Sequence, residues 1–347
     1  MDAVSIAVGL GLATLCGVVI PVLAVRGLMP ALEAGALKTR NYRKRLLPVG
    51  LGIVWIVWAF GLLAAQALLD VAYRLSSTSA ESVGLLERLV ATPLTFPLYA
   101  LPFMLVTGMA ALGLIDDAYG AGGPKGFGGH LGALAQGRLT TGGLKLLGGG
   151  GLSAFYGAAV ASSVIERSNV AESAVSETGA FLLAWVSATL VIALSANLMN
   201  LLDLRPGRAL KVYSLAVIAP AVMVALGAID AYNAEMARYV GETGTLLFAG
   251  ADRVTLVVAT LVVVLGPVAA MWRYDLGEQA MLGDAGANAM GAIVGYLLAM
   301  SLSLAGMVVA AVLLLGFNLL SERVSLSALI EGFSPLAWLD RLGRTKV

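Results

Sequence analysis

Hydrophobic runs of about 20 residues recur along this chain, at 3–25, 47–69, 95–115, 142–164, 177–200, 209–228, 253–272, 284–303 and 304–320. A bilayer core about 30 Å thick needs roughly 20 apolar residues in a helix to cross it. Within hydrocarbon a chain must pair its own backbone polar groups, and a helix does so inside one segment. Only 12% of the 347 residues are charged and 59% are hydrophobic, whereas soluble domains are about a quarter charged. The expected fold is therefore all-α, a polytopic membrane helix bundle of nine or ten spans. It forms one domain over 1–320, with a cytoplasmic or interfacial tail at 321–347, since no repeat of 20–50 residues divides the chain.

The first run is longer than a signal-peptide core and is followed by no small-residue cleavage site, so it is expected to stay as a membrane helix. Cys16, the single cysteine, lies inside that run as a small apolar packing residue. A net charge of +1 and the lack of a basic patch interleaved with aromatics exclude a nucleic-acid binder.

Lys and Arg fall unevenly between the spans. The loops 26–46, 116–141 (running into Lys145), 201–211 and 273–283, together with the tail, hold 17 of the 22. The other loops hold Arg74, Arg88, Arg167, Arg238 and Arg253. Positive residues favour the cytoplasmic side, which places the N-terminus outside and the C-terminus inside.

Three acidic motifs fall on that same predicted side, although acids took no part in the count. Asp116-Asp117 ends the third run, Asn197-x-x-Asn200-x-x-Asp203 ends the fifth, and Gly283-Asp284-x-Gly286 opens the eighth. Carboxylates are costly near hydrocarbon, so their recurrence at span ends marks a functional site. Two adjacent carboxylates raise each other's pKa unless a cation lies between them. Mg²⁺ takes hard oxygen ligands of this kind alongside substrate phosphates, which suggests a membrane enzyme acting on phosphates at one face of the bilayer.

Each motif also has a plainer reading. The Asp pair could simply face water, Asn197 and Asn200 could hydrogen-bond between helices, and Asp284 could be an N-cap. Arg205, Arg208 and Lys211 follow Asp203 and suit a phosphate clamp, or equally the positive-inside bias. The glycine-rich stretch from Gly122 through Lys125 to His130 and on to Lys145 reads as a mobile basic loop able to cradle phosphate, without Walker spacing. Gly148 to Gly151 are expected to let helices approach closely. His130 is the only histidine, which argues against zinc. Lys38 begins a basic stretch running to Arg45 that would attract anionic headgroups.

Together the motifs resemble those of the polyprenyl-phosphate N-acetylhexosamine-1-phosphate transferases (glycosyltransferase family 4), relatives of phospho-N-acetylmuramoyl-pentapeptide transferase. Asp116-Asp117 looks like the family's Asp-Asp motif, and Asn200-Leu-Leu-Asp203 like its Asn-Leu-x-Asp-Gly-Leu-Asp-Gly segment. Gly283-Asp284-Ala-Gly286 looks like its Gly-Asp-x-Gly-Ser motif. The resemblance runs from roughly 1 to 320. Three departures stand out: Pro206 replaces the second Asp of the middle motif, Ala287 replaces the final Ser, and the tail lacks a His-rich segment.

The resemblance implies transfer of a sugar-1-phosphate from a UDP-sugar to polyprenyl phosphate, such as undecaprenyl phosphate, with release of UMP. The setting would be cell-envelope glycan synthesis at the cytoplasmic face of the inner (plasma) membrane. It implies Mg²⁺, with Mn²⁺ as an alternative, held by Asp284 and Asp117, and Asp116 as base or orienting group. Lys38, Lys125, Lys145, Asn197, Asn200, Asp203, Arg205 and Arg208 would bind substrate, and homodimers are frequent in the family. Two other readings stay open. One is a noncatalytic or altered-donor relative that binds prenyl phosphate or nucleotide, and the other is a secondary transporter, whose acids would lie nearer the bilayer centre.

Overall fold

The structure is a computed structural model that describes residues 3–76, 102–120, 126–167, 176–240 and 250–344. In chain order these form α1 (Ala3–Thr14), a π-helical turn at Leu15–Val19, α2 (Ile20–Ala34), β1 (Lys38–Arg40), β2 (Leu46–Pro48) and α3 (Ile53–Ser76). Then come α4 (Phe103–Tyr119), α5 (Gly126–Ala135), α6 (Thr141–Arg167), α7 (Glu177–Leu202), α8 (Arg208–Val240) and α9 (Gly250–Leu276). The chain closes with α10 (Gly283–Ser301), α11 (Leu304–Arg323), α12 (Leu326–Gly332) and α13 (Ser334–Arg341).

Where they are described the nine apolar runs lie mostly on helix, although the run at 47–69 opens in β2 and a turn before α3 begins at Ile53. Among the described residues six helical segments are long and apolar enough to cross a membrane: Ile6–Ala34, Ile53–Ala72, Glu177–Leu202, Arg208–Ala231, Arg253–Leu276 and Leu304–Arg323. They carry exposed apolar side chains such as Leu23, Phe60, Leu215, Val254 and Val312, as expected of surfaces solvated by lipid.

The core of the bundle is α10, which packs against α4, α7 and α8. Its sequence alternates Gly, Ala and Asn288 with a few larger residues, and nearly all of it is buried. Small side chains let neighbouring backbones come close, which is how helices associate without a hydrophobic driving force. At Gly291 an added Cβ would lie 2.4 Å from the Ser195 carbonyl of α7, so no larger residue fits. Because α10 is enclosed by protein, it has no need of a strongly apolar surface. Trp55 and Trp58 of α3 pack edge-on at 5.2 Å, and Trp55 adjoins Tyr213 of α8 in a second buried layer.

Two segments differ from expectation. The basic stretch after α2 is an antiparallel hairpin, with Thr39 opposite Leu47. Asn41 folds its turn by accepting the amides of Arg43 and Arg45 on Oδ1, and Lys44 takes φ +62°. The hairpin edge continues onto the segment before α10, where Met281 N–H donates to the Pro48 carbonyl at 2.8 Å. The stretch read as a mobile loop contains α5, which packs on α6. His130 Nδ1 lies 2.9 Å from Thr140 Oγ1, and that same hydroxyl accepts the Gly143 amide to cap α6. Helix α5 is thereby tied to the start of α6. Of the four glycines expected to bring helices together, Gly148 and Gly149 face Leu112 and Met109 of α4, whereas Gly150 and Gly151 face open space.

Candidate active site

Asp284 stands at the start of α10, where a helix leaves unpaired amides. Gly283 turns the chain into the helix with φ +73°. Three carboxylates from elsewhere in the chain satisfy these amides. Asp117 accepts the Asp284 amide on Oδ1 at 2.9 Å and the Ala285 amide on Oδ2 at 3.1 Å. Asp203 accepts from the Gly283 amide and Asp275 from the Leu282 amide. The helix is therefore capped across the bundle, and the Asp284 side chain is not spent on its own cap.

This collar of acids is electrostatically loaded. Burial pushes the Asp117 carboxyl up to about 6, the Asp284 charge adds to the rise, and the two amides oppose it. Asp203, just beyond α7, is raised well above the usual carboxylate range by burial and then by the charges of Asp275, Asp284 and Asp117.

The freed Asp284 carboxylate meets Lys145 of α6, whose Nζ lies 2.5 Å from Asp284 Oδ2 and 3.2 Å from Asp116 Oδ2. Asp116 also interacts with Asp284 itself and with Thr141. Residues 168 positions apart in sequence thus converge on one ammonium group, from three helices.

That convergence bears on metal binding. Among the described residues no group of three or more His, Cys, Asp or Glu is arranged to hold a metal by protein ligands alone. Mg²⁺ commonly takes one or two carboxylates and completes its shell with water and substrate phosphate. Asp116 and Asp284 fit that donor set, since both already turn an oxygen toward a single cation. Asp117 has each oxygen engaged by a backbone amide, so the pair that shares a cation is Asp116 with Asp284.

The remaining predicted residues divide. Asn197 donates to Asn318 of α11 at 2.6 Å, so its amide links two helices. Asn200 is partly buried one turn before Asp203. Arg205 pairs with Glu331 of α12 at 2.7 Å and stacks over the Tyr42 ring at 4.4 Å. Arg208 is buried and makes a two-pronged pair with Asp340 of α13, at 2.8 and 3.1 Å. Lys38 is exposed on β1, and Lys125 lies outside the described residues.

Beside the acid collar lies a crevice of roughly 350 Å³ including its open mouth, lined in part by Tyr42, Asp203, Arg205, Asp275 and Glu278. Sequence reasoning missed Asp275 and Glu278. Asp275 Oδ2 accepts the Gly207 amide at 2.6 Å and so fixes the turn that follows Asp203. Glu278 is buried between Asn41 (2.9 Å) and Arg43 (3.0 Å), tying the hairpin to the α9–α10 turn. The available signal was an acid at the end of an apolar run, as in the other three motifs.

The five segments that together hold 17 of the 22 Lys and Arg therefore meet, where they are described, at one end of the bundle, joined by Asn41–Glu278, Gly207–Asp275, Arg205–Glu331 and Lys145–Asp284. Chemically, this end offers paired carboxylates able to share a cation, a lysine able to meet phosphate, and an adjoining crevice. No protein-family model matches the chain, and no curated protein matches it at significant similarity.

Proposed function

We propose that this protein is an Mg²⁺-dependent transferase that moves a sugar-1-phosphate, N-acetylhexosamine-1-phosphate foremost, from a UDP-sugar to polyprenyl phosphate. The reaction takes place at the cytoplasmic face of the plasma membrane and serves envelope glycan synthesis. The observation that carries this reading is the meeting of Asp116, Lys145 and Asp284 at one end of a membrane bundle.

In this reading an oxygen of the prenyl phosphate attacks the sugar-bearing phosphorus of the donor. A new P–O bond forms, the bond to the bridging oxygen breaks, and UMP leaves. A phosphate monoester is largely ionised at neutral pH, with a second pKa of about 6, so positioning matters more than proton removal. Asp116 and Asp284 would hold the Mg²⁺. When bound, the metal neutralises phosphate charge and stabilises the leaving oxygen. Lys145 supplies a second cation at the same place, and Asp117 holds the helix start that presents Asp284.

The test is purified protein with undecaprenyl phosphate, Mg²⁺ and a panel of nucleotide sugars, with released nucleoside monophosphate as the readout. Asp284→Asn and Lys145→Gln are run beside it. Metal-dependent release from one donor, lost in both variants, supports the transferase and names its donor. Protein that binds prenyl phosphate yet turns over no donor supports the noncatalytic reading, which the engagement of Arg208 by Asp340 favours. Arg208 is not available there to clamp phosphate.

A further inference from the structure

We propose that the C-terminal hairpin α12–α13 is an interfacial anchor that lies at the headgroup level of the bilayer while gripping the wall of the crevice. This rests on the membrane reading of the bundle and is independent of the reaction assigned to it.

The hairpin has two unlike sides. Toward the protein, Asp340 is buried between Arg208 and Arg344, at 2.8 and 2.6 Å. Lys211 Nζ donates to the carbonyls of Leu339 and Asp340. Arg344 also donates to the Pro206 carbonyl, and Ser327 accepts from Arg208. Large apolar residues are open elsewhere on the hairpin: Phe333 is 57% exposed and Trp338 66%, with Leu329 and Leu342 also exposed, and Leu336 is 46% exposed at the edge of the protein-facing side. In α13 the buried positions are Ala337 and Asp340, three apart and so on one face; Trp338 falls off that face.

What covers these residues follows from where the chain brings them. Helix α11 is a candidate span whose exposed surface includes Val312, Leu313, Phe317 and Leu319. Only Val324 and Ser325 separate its end from α12, and two residues reach about 7 Å at most. The hairpin therefore begins at the level where α11 leaves the hydrocarbon, which brings its exposed apolar residues within reach of the headgroup region. Trp and Phe are suited to this depth, with an apolar ring beside polar headgroups. Arg323 and Arg341, both exposed, bring positive charge to the same region, as amphipathic interfacial helices do. Membrane contact and the 203–208 turn would then be joined through Arg208–Asp340, Arg205–Glu331 and Arg344–Pro206.

The test uses the full chain reconstituted in lipid nanodiscs. Cys16 is fully buried, so Leu336→Cys and Trp338→Cys are labelled separately with an environment-sensitive fluorophore, and the unsubstituted chain sets the background. Leu315→Cys on α11 serves as the lipid-facing reference. The expected result is blue-shifted emission at both tail positions, quenched by lipids carrying a nitroxide near the headgroup and little affected by aqueous iodide. Quenching by iodide alone would overturn the proposal in favour of a solvated tail. Protection from both quenchers would overturn it in favour of a covering protein or second copy. Failure of the Leu315 label to respond to nitroxide lipid would instead count against the membrane reading itself, and so against the proposal with it.

Discussion

Asp117 holds the helix that carries Asp284: both of its oxygens accept amides from the first turn of α10, one of them the amide of Asp284 itself. A residue that would otherwise have to cap its own helix is thereby free to face Lys145 and Asp116. The two members of the Asp116-Asp117 pair thus have different tasks, one facing the shared cation and one building the scaffold beneath it.

Removing that cap loosens the helix start. Loss of an N-cap side chain costs about 0.5–2 kcal/mol, so Asp117→Ala should lower the thermal unfolding midpoint by a few degrees. Asp284→Asn, which leaves the cap intact, should change it less. Scanning fluorimetry in detergent gives the comparison, and equal midpoints for Asp117→Ala and wild type would refute the capping role.

Lys145 is the cation that allows two carboxylates to stand together. Its replacement by Gln should destabilise the protein in chelator by about 1 kcal/mol, the lower end of the scale for a buried polar group left unpaired, since all three side chains are only partly buried. Millimolar Mg²⁺ should restore more stability to the variant than it adds to wild type, because the ion then takes the place of the ammonium. Unfolding midpoints with chelator and with Mg²⁺ decide the matter; identical Mg²⁺ shifts in both proteins would mean that Asp116 and Asp284 do not take the ion.

Most of the helical frame was legible because a membrane span needs a long apolar run, and such runs are counted directly. The acid motifs were legible because a carboxylate at the end of an apolar run is conspicuous. Less could be read where one residue chose between partners of similar chemistry. Arg208 beside Asp203 suits a phosphate as well as a carboxylate, and only the fold brings Asp340 to it from 132 residues away. The hairpin at 38–48 was hidden because its order comes from Asn41 and from Glu278, far along the chain. Asp275 was not legible because its role is to accept the amide of Gly207, 68 residues away, and only the fold brings the two together.

The spacing of α4 from α10 depends on a single missing side chain. A Cβ on Gly113 would lie 2.3 Å from the Asp284 carbonyl oxygen and 2.5 Å from the Ala285 nitrogen, and backbone atoms in a helix cannot move aside singly. Overpacking of this kind costs about 1–3 kcal/mol. Gly113→Ala should therefore both lower the unfolding midpoint and sharply reduce nucleotide release by displacing Asp116 from Asp284. Gly128→Ala, whose Cβ meets nothing within 4 Å, should leave both unchanged. A Gly113→Ala protein as stable and active as wild type would show that the two helices are not held at this distance.

The tail should be released by acid. Burial alone would raise the Asp340 carboxyl, but hydrogen bonds and charge from Arg208, with the charge of Arg344, hold it below the usual range. A carboxyl whose pKa is lower in the folded state contributes stability that is complete above its unfolded value of about 3.9, and that contribution is lost as pH falls through the folded value. Hydrogen exchange of residues 337–344, corrected for intrinsic rates, should show steady protection from neutral pH down to about 5 and a decline below about 4. Breaking a buried ion pair by removing one partner costs about 3–5 kcal/mol, so Asp340→Asn should show weak protection at every pH. Undiminished protection of the wild-type tail well below pH 3.9, or full protection in Asp340→Asn, would mean that apolar contacts rather than the Arg208–Asp340 pair hold the hairpin down.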